Sequence, residues 1–215
     1  MIISHGRKYI FVHIPKTGGT SMALALESRA QKDDIMIGDT PKALKRRRRL
    51  KDVKSSGRLW KHSRLIDVYG LISDAEIADF HVFTMVRNPW DRMVSYYNWL
   101  KGQGFDNPAV IAAKTLEFSD FIRDSAVVSS LQQNPYSSYV KDRFGQDQCN
   151  FYIRLENLSE DVPKLEKTLG VKIGPLPVSN QSKRKQDYRL AYSTADQAWI
   201  NELCAEDIAQ FGYRF

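Results

Sequence analysis

The sequence predicts an α/β fold around a central parallel sheet, because segments typical of buried strands alternate with segments typical of helices. Strands are expected at 9–14, 80–86 and 149–155. Helices are expected at about 20–30, from Pro89 onward, from Asn157 to Gly170, and from Ser193 to Phe211. Asn157 with Glu160 and Ser193 with Asp196 are expected to cap the last two helices, and Gly170 is expected to end the first of these. A strand, a helix and a second strand favour parallel pairing through a crossover connection. We therefore expect three layers, with helices on both faces of the sheet.

The composition is that of one folded domain. The chain has 215 residues, 42% of them hydrophobic, and no run is apolar enough to span a membrane. We expect a single domain over 1–215, with a basic, variable insert at about 31–60 and a helical segment at 62–71. Cys149 and Cys204 make no disulfide framework and lack the spacing of a metal site. No metal is expected.

The first strand runs into a glycine-containing turn and then into a helix. Gly18 and Gly19 permit positive φ, and an amphipathic helix follows them. Backbone N–H groups at the start of a helix lack partners inside it and attract anions. We expect a phosphate or sulfate site formed by Lys16, Thr17, Gly18, Gly19, Thr20 and Ser21. Thr20 and Ser21 would look the same as simple helix caps.

A second phosphate site is predicted after the next strand. Pro89 suits the first turn of a helix, so Arg87 would end the strand and Ser95 would lie about two turns along the helix. Both side chains can then face one phosphate.

Together these segments resemble the sulfotransferases that use 3′-phosphoadenosine 5′-phosphosulfate (PAPS). Pro15-Lys-Thr-Gly-Gly-Thr-Ser21 is similar to their 5′-phosphosulfate loop, and Arg87 to Tyr97 matches their R-x-P-x-x-R-x-x-S-x-Y motif, which binds the 3′-phosphate. Phe151 to Leu158 contains an R-x-E-N-L segment similar to that of carbohydrate sulfotransferases related to heparan sulfate 2-O-sulfotransferase and their bacterial cousins.

The resemblance implies a P-loop NTPase-like fold and transfer of a sulfuryl group from PAPS to a hydroxyl, most plausibly on a glycan or glycolipid. The product is adenosine 3′,5′-bisphosphate (PAP). Lys16 would stabilise charge on the oxygen that bridges sulfur and phosphorus, and Arg87 and Ser95 would hold the 3′-phosphate. Lys183 and Arg184 would close over the adenosine phosphate, although an exposed basic loop would have the same sequence.

Two other functions fit parts of the sequence. A P-loop kinase would use ATP and Mg²⁺, but its loop reads G-x-x-x-x-G-K-[ST], and here Lys16 precedes the glycines. The net charge of +7 is concentrated in Lys42 to Lys51, which would suit nucleic-acid binding through residues 45–49. This basic run has three other interpretations. It could be a solvated face, a segment that is disordered without ligand, or a basic surface that attracts an anionic donor and acceptor. We favour the last and expect no nucleic acid.

The general base is sought among four histidines. His5 is expected near a frayed terminus, and His13 and His81 are expected as satisfied histidines within strands. His62 falls between the two phosphate motifs, where related glycan sulfotransferases have their catalytic histidine, so we predict His62 as the base. Glu27 is the reserve, although its place along the first helix suggests a solvated carboxylate.

The predicted location is cytoplasmic, with peripheral membrane contact as a further option. Met1 to Arg7 lack the ordered charged, apolar and cleavage regions of a secretory signal. Many eukaryotic relatives carry a Golgi membrane anchor that this sequence lacks, which favours a bacterial-type enzyme.

Overall fold

The computed structural model of the chain describes residues 1–177 and 187–215. These residues form two compact units, one of residues 1–86 with 137–177 and one of residues 87–136 with 187–215. The strands are β1 (Ile2–Ser4), β2 (Tyr9–Val12), β3 (Ile35–Met36), β4 (His81–Val86) and β5 (Phe151–Arg154). The helices are α1 (Gly19–Ser28), α2 (Pro41–Arg46), α3 (Asp74–Asp79), α4 (Pro89–Lys101), α5 (Pro108–Thr115), α6 (Phe118–Phe121), α7 (Ser125–Gln133), α8 (Leu158–Leu169), α9 (Thr194–Leu203) and α10 (Ala205–Phe211).

The first unit contains a mixed five-stranded sheet in the order β3-β1-β2-β4-β5. β2, β4 and β5 are parallel, with Phe11 opposite Phe83 and Phe83 opposite Phe151. β1 is antiparallel to both β2 and β3. The α/β class is confirmed, and the parallel part of the sheet is limited to three strands. Only a four-residue turn separates β1 from β2, which permits a hairpin and no crossover.

Alternate side chains of the strands pack against α1 and α8. Phe11 and Phe83 lie in one buried cluster with Met22 and Leu26 of α1 and Leu165 of α8. Successive side chains of a strand point to opposite faces of the sheet, so this face receives every second strand residue. The packing fixes the position at which the chain leaves β2 and enters α1.

One prediction for the first unit is wrong, and two are right only in part. The start of the chain is not frayed, because Met1 is 2% exposed and β1 is paired on both edges. The segment at 62–71 contains a single 3₁₀ turn at Leu65–Val68. Asn157 makes no side-chain cap for α8, although Gly170 ends that helix in the left-handed conformation as predicted.

The second unit consists of helices packed around aromatic side chains. Trp90, Tyr97, Phe121 and Ile200 are buried in one cluster. The side-chain Oδ1 of Asn88 accepts a hydrogen bond from the Trp90 N–H at 3.1 Å, which caps α4. No helix of the described residues is long and apolar enough to cross a membrane.

The last helix prediction is half right. Ser193 and Asp196 form the predicted capping box at the start of α9. The helix then ends at Leu203, and a second one, α10, begins at Ala205 and ends before the left-handed Gly212.

Candidate active site

The predicted donor loop follows β2 and leads directly into α1. Gly18 has φ +87° and is the N-cap of α1, and Lys16 has φ +68°. A residue with a Cβ in this left-handed region costs roughly 1–2 kcal/mol, and such conformations concentrate at functional sites. The loop is held from within, because the buried Thr17 hydroxyl donates to the Ile14 carbonyl at 2.9 Å. Thr17 therefore uses its hydroxyl proton inside the loop.

The start of α1 has no side-chain cap. Thr20 and Ser21 lie inside the helix rather than at its cap, so the interpretation of them as simple caps is wrong. The Ser21 N–H donates to the Gly18 carbonyl at 3.0 Å, which leaves Gly18, Gly19 and Thr20 as the backbone donors suited to an anion. The positive end of the helix dipole lies at the same place.

Both glycines are required by close packing. A Cβ on Gly18 would lie 2.8 Å from Leu155 Cδ1 in addition to the strain of positive φ. A Cβ on Gly19 would lie 2.1 Å from His13 Cδ2. The donor loop thus rests directly on the His13 ring.

The His13 ring in turn packs against His62. The two ring centroids are 4.6 Å apart in an edge-to-face arrangement, and His62 Nδ1 is 2.8 Å from the His13 carbonyl oxygen. A carbonyl oxygen only accepts hydrogen bonds, so Nδ1 carries the proton and Nε2 keeps its lone pair. This is the tautomer that a general base requires.

Burial keeps the two histidines neutral. Desolvation lowers the pKa of His62 to about 4, although the hydrogen bond to the His13 carbonyl acts in the opposite direction. Desolvation and the neighbouring His62 lower the pKa of His13 well below its usual value. The predicted base is therefore unprotonated at neutral pH. His13 was predicted to be only a core histidine. It is the first residue after β2, and the donor loop turns back so that Gly19 lies against its ring.

The other two histidines lie away from the donor loop. His81 begins β4 opposite Tyr9, the first residue of β2, whereas the loop follows the other end of β2. The strand continues for three residues after Tyr9, so its two ends lie roughly 10 Å apart. His5 precedes β2 and lies 3.5 Å from Glu76.

Glu27, the reserve base, is 5% exposed and accepts a hydrogen bond from the Thr40 hydroxyl. The prediction of a solvated carboxylate is wrong. Glu27, His13, Thr20 and Lys61 line a cavity of about 10 Å³, the size of one water molecule.

The second phosphate motif lies in the second unit. Arg87 follows the last residue of β4, and its Nε and one terminal nitrogen lie 2.8 and 2.7 Å from Asp91 Oδ2. Ser95 is half-buried on α4, six residues after Pro89. Lys183 and Arg184 lie outside the described residues.

The chain matches the family described as the Sulfotransferase family over residues 1–213. The chain belongs to the sulfotransferase family. The prediction of a PAPS-dependent sulfotransferase is thereby confirmed. Among solved structures, mouse sulfotransferase SULT7A1 complexed with PAP is similar, with 14% identity, 93% of this chain and 82% of that chain covered, and a TM-score of 0.48. No curated protein matches the sequence.

The basic insert of this sulfotransferase is structured. α2 covers Pro41–Arg46, and a 3₁₀ turn continues over Arg47–Leu50. Arg46 donates to the carbonyls of Gln31 and Asp34, and Arg49 donates to the carbonyl of Lys32. These two arginines hold the preceding segment. Within residues 1–177 and 187–215 the sulfotransferase has no cluster of three metal-ligating side chains.

Proposed function

We propose that this sulfotransferase sulfates a hydroxyl of a carbohydrate, with His62 as the general base. The observation that carries the proposal is the neutral His62, whose Nδ1 is held by the His13 carbonyl while His13 packs on Gly19 of the donor loop. The base is thereby connected to the donor loop through the His13 ring. The R-x-E-N-L segment, similar to that of carbohydrate sulfotransferases, supports the acceptor class.

The donor loop and His62 divide the chemistry between them. PAPS supplies an electrophilic sulfur and a phosphate leaving group. His62 Nε2 takes the proton of the acceptor hydroxyl as the new oxygen–sulfur bond forms. Lys16 stabilises the negative charge that develops on the bridging oxygen as its bond to sulfur breaks. The N–H groups at the start of α1 hold the 5′-phosphate.

Arg87 and Ser95 are proposed to bind the 3′-phosphate. The Asp91 carboxylate orients the Arg87 guanidinium, and a fixed guanidinium binds a phosphate with less loss of side-chain entropy. We expect Arg87→Ala to weaken PAP binding more than Ser95→Ala, because only the former removes a positively charged partner of the phosphate. Arg189→Ala, which removes an exposed arginine paired with Asp187, is the matched control. Unchanged PAP affinity in Arg87→Ala would contradict the 3′-phosphate assignment.

Donor binding is tested by thermal unfolding with PAP or ATP. PAP carries both phosphates that the two motifs are proposed to hold, so it should stabilise the protein by about 2.7 kcal/mol at one hundred times its dissociation constant. ATP should stabilise it less. Greater stabilisation by ATP than by PAP at equal concentration would favour a kinase site.

Turnover with labelled PAPS and a panel of glycans, glycolipids and simple alcohols tests the acceptor class. Lys16→Ala should reduce kcat with little change in PAP affinity, because its contact strengthens as the transition state forms. Replacing Arg47 and Arg48 by glutamine should instead raise the acceptor KM and reduce its salt dependence. These two arginines are chosen because Arg46 and Arg49 have structural hydrogen bonds. An equal loss of kcat in both variants would contradict this division.

A further inference from the structure

The excess positive charge of the protein lies in the stretch of sequence that contains His62. Residues 40–66 contain eleven lysines and arginines and one aspartate, whereas the rest of the chain contains more acidic than basic residues. The guanidinium groups of Arg46 and Arg49 donate to backbone carbonyls. A carbonyl has no net charge, so these hydrogen bonds do not neutralise the two arginines. This segment attracts anions over a distance of about a Debye length.

Within this segment, Trp60 presents its indole ring to solvent beside His62. The Trp60 side chain is 44% exposed, and its ring centroid lies 5.1 Å from that of His62 in an edge-to-face arrangement. A single exposed hydrophobic residue needs no special explanation. Here, however, the exposed ring directly contacts the proposed base.

The turn that carries Trp60 is fixed by a buried serine. The Trp60 N–H donates to the Ser63 hydroxyl oxygen at 2.9 Å, and the Ser63 hydroxyl lies within hydrogen-bonding distance of the Arg58 and Trp60 carbonyls. Ser63 is 0% exposed. Little backbone entropy is lost when a ligand binds to a ring held in this way.

Arg58 provides an anion-binding group at the same ring. Its guanidinium carbon lies 5.6 Å from the Trp60 ring centroid, and the Arg58 residue is exposed. A cation–π contact at an exposed site is weak, about 0.5–1 kcal/mol. Arg58 can therefore turn from the ring to a carboxylate or sulfate at little cost and uncover the ring face.

We propose that Trp60 and Arg58 form the acceptor subsite next to the transferred group, where a sugar ring stacks on Trp60 and its acidic substituent pairs with Arg58. This inference rests on the proposed carbohydrate acceptor and narrows it to an anionic sugar. Trp60 supplies ring affinity, Arg58 supplies selectivity for the anion, and the contact between Trp60 and His62 places the adjacent hydroxyl near Nε2.

The test compares two hexasaccharides, one alternating glucuronate with N-acetylglucosamine and one of N-acetylglucosamine alone. We expect the wild type to bind and sulfate the acidic one preferentially. Trp60→Ala should raise KM for it roughly 5- to 30-fold, the range for loss of a large aromatic contact, while Trp60→Phe recovers most of the affinity. Arg58→Gln should remove the preference between the two sugars.

The matched control is Phe144→Ala. Phe144 is 68% exposed and also has an arginine, Arg143, 5.1 Å from its ring centroid, and His62 is not among its ring contacts in the described residues. This variant should keep the wild-type KM. PAP affinity and the His62 pKa measured by NMR should stay unchanged in Trp60→Phe and Arg58→Gln, which separates acceptor binding from a disturbed base.

The outcomes distinguish the subsite from the acceptor class. Sulfation of the acidic hexasaccharide with an unchanged KM in Trp60→Ala would overturn the subsite and leave the carbohydrate proposal standing. Faster sulfation of the neutral hexasaccharide would overturn the role of Arg58. A third outcome is that the enzyme sulfates simple alcohols while tryptophan fluorescence shows binding of neither hexasaccharide. That result would overturn both the subsite and the carbohydrate acceptor, and the assignment as a sulfotransferase would stand.

Discussion

The pH dependence of sulfuryl transfer tests the proposed base most directly. His62 has a pKa of about 4, three units below neutral pH. Only roughly one molecule in a thousand then carries a protonated His62 at pH 7. We expect kcat/KM to be flat from about pH 6 to pH 8 and to fall by half near pH 4, because only the neutral imidazole accepts the acceptor proton.

Binding of the donor should shift the acid limb of the profile, that is, the pH range in which the rate falls as the pH is lowered. PAPS brings several negative charges toward the loop that rests on His13, and nearby negative charge raises the pKa of an imidazole. The profile of kcat reports the complex and that of kcat/KM reports the free enzyme. We therefore expect the acid limb of kcat to lie at higher pH than the acid limb of kcat/KM.

The assay is turnover against pH for the wild type, His62→Ala and His5→Ala. Loss of a positioned base should cost roughly 10²–10⁴-fold in kcat. His62→Ala should also lose the acid limb. His5→Ala is the matched control, because His5 contacts Glu76 and Phe80. Circular dichroism and PAP affinity at each pH show whether the fold persists. Near-normal turnover in His62→Ala, or a kcat/KM limb near pH 6.5 that survives in it, would refute the assignment.

Three further predictions concern packing and stability. Gly19→Ala should destabilise the protein by about 1–3 kcal/mol and reduce turnover, because the added Cβ would displace the His13 ring. The control is Gly104→Ala, whose Cβ would have no atom within 4 Å and should change neither stability nor turnover. Equal effects in both variants would contradict the packing argument. The lowered pKa of His62 should by itself make the free energy of unfolding fall by about 3 kcal/mol between pH 6.5 and pH 4, since the unfolded state binds a proton in this window and folded His62 binds one only near pH 4. The lowered pKa of His13 adds to this fall, and a pH-independent denaturation midpoint there would disagree. Ser193→Ala should cost about 1 kcal/mol by removing the cap of α9, and an unchanged melting temperature would show that the cap contributes nothing.

Local sequence determined the strand–loop–helix unit and the positions of the three parallel strands. Strand-compatible residues before Gly18 and an amphipathic run after it suffice to predict β2 and α1, because both signals are local. The same holds for the capping box at Ser193 and the left-handed end of α8 at Gly170. β1 was missed because its three residues carry little periodic signal and its partners, β2 and β3, lie elsewhere in the chain.

The sequence by itself determined the family, since the phosphate-binding motifs are short, ordered and specific. It also singled out His62 from its position between them. Only the tertiary structure decided that Glu27 is buried, that the His13 carbonyl sets the tautomer of His62, and that Trp60 stands exposed beside the proposed base. These features depend on contacts between residues far apart in sequence, such as the 49 positions that separate His13 from His62. Burial and tautomer are properties of such contacts, so no local pattern records them.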